Sequence, residues 1–183
     1  MKNIQRIARA SRRLRRICTA TIFVLPIASA LFWFFFNQIY APSSFIPTSM
    51  IPLPVHITEE LSDLTRFLAF LTELLPLTAL IYGLKKLGEL FHQYEQGQIF
   101  TDKNVSCFRS LGRILIIWVL CDVVQNPLLS IILTREKPPG QHVITVGFCS
   151  ADFIALFVGI IILIIAWVMD EARMIKEDQA LII

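Results

Sequence analysis

Twenty consecutive residues without a charge, 17–36, place the strongest constraint on this chain. A helix rises about 1.5 Å per residue, so a run of this length crosses the roughly 30 Å hydrocarbon core of a bilayer. Residues 153–169 form a second charge-free run of seventeen, which extends to nineteen when Ala151 and Asp152 are included. Residues 67–84 and 114–133 are as long, and each carries one carboxylate near its middle, Glu73 and Asp122. Lipid offers no partner to a bare peptide group, so only helices and closed barrels span it, and blocks this long select helices. The chain is 55% hydrophobic and 17% charged, and the apolar excess is gathered into these blocks, which excludes an ordinary soluble domain. The expected fold is all-α, an integral membrane four-helix bundle.

Orientation follows from lysine and arginine, which collect on cytoplasmic flanks. Residues 1–16 hold seven of them: Lys2, Arg6, Arg9, Arg12, Arg13, Arg15 and Arg16. The loop 37–63 holds none and carries Glu59, Glu60 and Asp63 instead. Residues 85–113 return to basic character with Lys85, Lys86, Lys103, Arg109 and Arg113, and 134–150 has only Arg135 and Lys137. The chain therefore divides into a basic cytoplasmic segment (1–16), a first span (17–36), a proline-rich outer loop (37–63), a second span (67–84), a cytoplasmic helical hairpin loop (85–112), a third span (114–133), an outer loop (134–150), a fourth span (151–169) and a cytoplasmic tail (170–183). Both termini are expected in the cytoplasm. Ala28-Ser29-Ala30 resembles a signal cleavage site, but residues 31–36 continue the apolar run and bury it, so an uncleaved first helix is expected. Cys18, Cys107, Cys121 and Cys149 are too dispersed to imply a disulfide framework.

Local patterns refine this division. Ile4, Ile7, Leu14 and Ile17 repeat at helical spacing among arginines, as in a segment lying along the membrane surface before it turns inward. Pro42, Pro47, Pro52 and Pro54 forbid a continuous helix in the first outer loop, whose apolar residues are expected to pack back on the helix ends. The second helix should run on to Gly97, a C-terminal glycine, and the third should start near Asp102, with Thr101 as its cap and Phe100 stapled to Val105. Ala151, Ala155 and Gly159 form a small-residue stripe, read as packing within the fold with homodimerisation as the alternative.

The inner loop and tail resemble a known group. Tyr94, Gly97, Ile99, Phe100, Thr101, Asn104, Val105, Leu111 and Gly112, then Ile164-Ile165-Ala166, Asp170-Glu171-Ala172-Arg173, Lys176-Glu177-Asp178-Gln179 and Leu181, are similar to the bacterial membrane family catalogued as domain of unknown function 2975. The resemblance covers roughly residues 60–183. It implies a four-helix protein of the bacterial inner (cytoplasmic) membrane without an established activity, and a cytoplasmic regulator of helix-turn-helix type as partner, since such regulators are often encoded beside family members. Gly97, Phe100, Thr101, Asn104 and Gly112 are the candidate cytoplasmic motif. Family members commonly end Leu-Thr-Val or Leu-Thr-Ile, whereas this chain ends Leu181-Ile182-Ile183 and lacks that hydroxyl.

Chemistry, if any, should involve the mid-membrane carboxylates. A charged Asp at a helix centre costs about 2.5–3.5 kcal/mol to insert, so such groups are seldom idle. Asp122 has Gln125 and Asn126 on the same helical face. Glu73, Asp122, Gln125 and Asn126 are thus a candidate intramembrane polar site, either a proton or cation relay or a hydrogen-bonded cluster that fixes packing. Zinc-protease, serine-elbow and phosphate-loop signatures are missing, and His56, His92 and His142 lack metal-ligand spacing, so no enzyme, cofactor or metal is expected. The leading expectation is a structural or regulatory membrane protein with a cytoplasmic partner surface. The alternative is a small transporter or ion-conducting protein. Candidate partners are membrane lipids, the cytoplasmic regulator and a second copy of the chain in a homo-oligomer, with no direct nucleic-acid binding.

Overall fold

The computed structural model describes residues 2–39, 53–55, 57, 60–98, 101–138 and 140–181. These form α1 (Lys2–Phe34), the short α2 (Phe36–Ile39), α3 (Asp63–Glu95), α4 (Asp102–Leu133) and α5 (Ser150–Leu181), with no strand among the described residues. All four long helices are long and apolar enough to cross a membrane. At 32 or 33 residues each, they are roughly 50 Å long and outreach the bilayer core. Pro26, Pro76 and Pro127 lie inside α1, α3 and α4, where each removes one ladder hydrogen bond. Several hydroxyls within the spans donate to the helix's own carbonyls, as in Thr21 Oγ1 to Ile17 O at 2.9 Å and Thr72 Oγ1 to Ala69 O at 2.8 Å.

The extensive contacts run in chain order: α1 on α3, α3 on α4 and α4 on α5. The bundle is therefore an open row whose edges are α1 and α5. One end holds the start of α1, the end of α5 and the α3–α4 turn; the other holds the described residues of the segments 35–62 and 134–149. The basic segment does not turn along the surface. It continues α1 unbroken and runs beside the end of α3, where Arg12 Nε lies 2.7 Å and Arg15 Nη2 3.3 Å from the Glu95 carboxylate. Pairing with α3 thus fixes a direction that helical periodicity alone left open.

At the loop end, Trp33, Phe36, Ala69, Leu129 and Leu133 bury one another together with Ile57 and Leu61 from the first loop. The described part of that loop packs back on the helix ends as expected, held by Asn37, which donates to Leu61 O at 2.9 Å and accepts from Leu61 N at 3.1 Å. Most of its prolines, Pro42, Pro47 and Pro52, lie outside the described residues. The second loop is tied to the first by Thr145 Oγ1, which donates to Pro54 O at 3.0 Å.

α4 and α5 meet backbone to backbone. A Cβ placed on Gly112 would lie 2.6 Å from Leu163 Cγ and 2.9 Å from Gly159 O, and one on Gly159 would lie 3.2 Å from Gly112 O. Small residues permit this approach where no hydrophobic effect drives helices together. The buried face of α5 runs through Asp152, Gly159 and Ala166 at intervals of seven; of the expected stripe, Ala151 is exposed and Ala155 half-buried. The stripe was drawn at intervals of four, whereas the contact follows the seven-residue period of two nearly parallel helix axes. Gly112→Val should lower stability in detergent by about 1–3 kcal/mol. Gly88→Ala, whose new methyl meets nothing within 4 Å, should leave the melting temperature equal or slightly raised.

Candidate functional site

The register set at Gly112 and Gly159 brings polar groups together at both ends of the α4–α5 pair. Towards the loop end, the carboxylates of Asp122 and Asp152 and the thiol of Cys149 lie within 4.8 Å of one another. Asp152 is 1% exposed and caps the start of α5, accepting from Cys149 N at 2.7 Å, while its own N–H reaches Cys149 O at 3.1 Å. Asp122 accepts from Asn126 Nδ2 at 3.0 Å, one turn further along α4. Two carboxylates this close repel when both are charged and are compatible when they share a proton or a cation. Among the described residues no fourth His, Cys, Asp or Glu joins the three, so the set falls short of a closed four-ligand metal site.

The expected polar site is thus divided. Asp122 and Asn126 are joined, and Gln125 is buried beside them on α4. Glu73 belongs elsewhere, as its Oε2 accepts the indole N–H of Trp33 on α1, and no hydrogen bond links it to Asp122 among the described residues. One carboxylate is committed to the α1–α3 contact and the other to α4–α5. Asp152, the partner Asp122 does have, was legible only as the margin of a span. Its signal is its place three residues into a helix, on the face that carries Gly159 and Ala166.

At the opposite end, the α3–α4 turn has the chemistry its residues predict. Gly97 takes φ +74°, a left-handed value that glycine adopts without strain, and Gln98 N reaches back to Gln93 O at 3.0 Å. Thr101 caps α4 by accepting from Asn104 N at 3.4 Å, and the fully buried Asn104 donates through Nδ2 to Gln98 O at 2.7 Å. Phe100 lies outside the described residues; Val105, its expected partner, is buried. Gly112, the last residue of the motif, makes the helix crossing. Beside this turn, Arg173 of α5 reaches Asp102 at 3.1 Å, Asp170 at 3.2 Å and Glu177 at 2.8 Å, and Arg109 pairs with Asp170 at 3.2 Å. Pairs of this kind are screened by solvent, so their main effect is to hold the tail against the turn. The tie between the basic segment and Glu95 was not anticipated, since an acid at the end of one helix does not declare which distant arginine it meets.

Four long apolar helices, capped by packed loops at one end and laced by ion pairs at the other, define a multi-pass membrane protein. The family model described as Protein of unknown function (DUF2975) matches residues 55–183, and the chain belongs to that family. The match takes in α3, α4 and α5 and leaves out α1. No curated protein and no solved structure matches the chain.

One clasp between the loops carries a pH dependence. Glu136 accepts from Ser62 Oγ and, at 2.6 Å, from Thr65 Oγ1 at the start of α3. These hydroxyl donors hold its carboxyl below the usual carboxylate range. A depressed folded-state value means that the clasp stabilises fully above the unfolded-state pKa and is lost as pH falls through the folded one. The difference in melting temperature between the native chain and Glu136→Gln should therefore be largest near neutral pH and shrink on acidification into the range below the ordinary glutamate value.

Proposed function

We propose that this protein is a membrane-embedded docking platform for a cytoplasmic regulatory partner, with the end that holds the termini facing the cytoplasm of a bacterial cell. The observation that carries this reading is the ion-pair lacing of that end. Arg173 joins the tail to Asp102, Arg109 joins it to the start of α4, and Glu95 gathers Arg12 and Arg15 of α1. Helix that outreaches the bilayer has no need of mutual ties for insertion alone; held together, the turn and the tail offer one shaped polar surface. The concentration of basic residues in 1–16 and 85–113 supports the inward orientation. A small helix-turn-helix regulator is the partner class that the family resemblance implies, and no direct nucleic-acid contact is proposed. Nor is catalysis, for want of any recognisable catalytic constellation.

Photo-crosslinking in native membranes tests this. A crosslinker in place of Lys103 should capture a defined cytosolic regulator, and one in place of Val143 should not; Arg173→Ala should reduce capture at Lys103. Equal capture at both positions would overturn the reading. Sidedness is read separately with a membrane-impermeant thiol reagent. In spheroplasts the exposed Cys149 should label at once, and Lys103→Cys only after permeabilisation. Cys107 is only 5% exposed and does not serve as the inner reporter.

A second reading, a small proton or cation transporter, draws on the approach of Asp122 to Asp152. It predicts flux into vesicles that Asp122→Asn or Asp152→Asn abolishes with folding retained. The same flux through both variants would remove it.

A further inference from the structure

The two edges of the helix row carry opposite charge. Residues 1–16 at the α1 edge contain seven bases and no acid, whereas 170–183 at the α5 edge contain four acids and two bases. The charges that face outward are a subset of these. On α1 the buried face runs through Ser11 and Cys18, which places Arg13 and Arg16 on the opposite side; both are exposed and form no ion pair among the described residues. On α5 the buried face runs through Ala166 towards Arg173, which places Glu171 and Asp178 on the opposite side, again exposed and without an ion pair among the described residues.

Some of these charges also stand at one height. Arg12 is level with Glu95 at the end of α3, and Arg173 is level with Asp102 at the start of α4. Glu95 and Asp102 flank the same tight turn. Arg13 and Arg16 on one edge are therefore level, within about one helical turn, with Glu171 on the other, and Asp178 stands about two turns beyond Glu171. Below them each edge is apolar: Phe23 and Ile27 on α1 are 66% and 59% exposed, and Phe157 and Trp167 on α5 are 65% and 71% exposed.

We propose that copies of this chain associate edge to edge in the membrane, α1 of one copy against α5 of the next, through Arg13 and Arg16 on the first and Glu171 on the second, with Asp178 adding to the acidic character of the α5 edge. All copies share one orientation in the bilayer, so matched heights in one chain are matched heights between chains. Pairing α1 with α1, or α5 with α5, sets like charges side by side and is disfavoured. The contact is heterologous, and it closes either as a ring or as two rows that satisfy both edges about a two-fold axis along the membrane normal. Charge selects which edges meet, and van der Waals packing of the large side chains below supplies the contact area. The inference stands whichever side of the membrane the terminal end faces.

Two measurements on the full chain in its own membrane test it. Disulfide trapping between one copy carrying Arg13→Cys and another carrying Glu171→Cys should give a cross-linked dimer, while two copies of Arg13→Cys should not. Differently tagged copies should co-purify, and reversal of one edge in every copy, by Arg13→Glu with Arg16→Glu or by Glu171→Lys with Asp178→Lys, should reduce recovery about tenfold. Mixing the two reversed forms should restore it, because each then presents the complement of the other. Labelling of Cys149 from the same side in all forms verifies insertion. Monomers that co-purify only with anionic phospholipid, trapping of Arg13→Cys with itself as readily as with Glu171→Cys, or no rescue on mixing would each overturn the proposal.

Discussion

The crossing of α4 and α5 at Gly112 and Gly159 governs more of this molecule than any other contact. Two backbones touch there with no side chain between them, so the helices have neither room to slide nor a hydrophobic gradient to hold them at a greater distance. Once that point is set, the antiparallel register carries Asp122 towards Asp152 in one direction and Asp102 towards Arg173 in the other. A close pair of carboxylates and a solvent-facing ion-pair hub are thus two outcomes of one steric fact. A methyl group at either glycine bears on both.

The sequence was informative wherever the physics is local. Apolar block lengths specified the helices, and Gly97, Thr101 and Asn104 specified the turn, because capping and left-handed backbone involve residues only a few positions apart. Gly112 was read as part of a surface motif, and its real contact, across to α5, depends on a register that no single helix encodes. The polar site was half legible. Asp122 and Asn126 sit one turn apart on one helix, so their bond could be expected. The partner of Glu73 is an indole on α1 and that of Asp122 an acid on α5, and pairing between helices follows from packing order. The stripe on α5 was misplaced for the same reason: an interval of four and an interval of seven share Gly159 and diverge on either side of it.

The serial arrangement also clarifies the standing of α1. The family match begins after it, yet the helix is joined to the rest at several depths, by Arg12 and Arg15 to Glu95, by Trp33 to Glu73, and by Phe34 O, which accepts from Arg66. It is an integral wall of the row, and its seven bases are half of the fourteen Lys and Arg residues in 1–16, 85–113 and 170–183. An all-α bundle whose outer helices differ so much in charge has a distinct left and right when viewed down the membrane normal, which a closed and evenly charged bundle would not have.

The Trp33 and Glu73 bond bears on how the chain is made. During synthesis α1 emerges first and enters the bilayer first, so a hydrogen-bond donor is already in place when the carboxylate of α3 arrives. Asp122 travels with its own donor, Asn126, one turn behind it. Neither acid has to cross into lipid and wait for its hydrogen-bond donor to be translated, so the order of the chain, read as a timetable, spares the membrane an unaccompanied carboxylate.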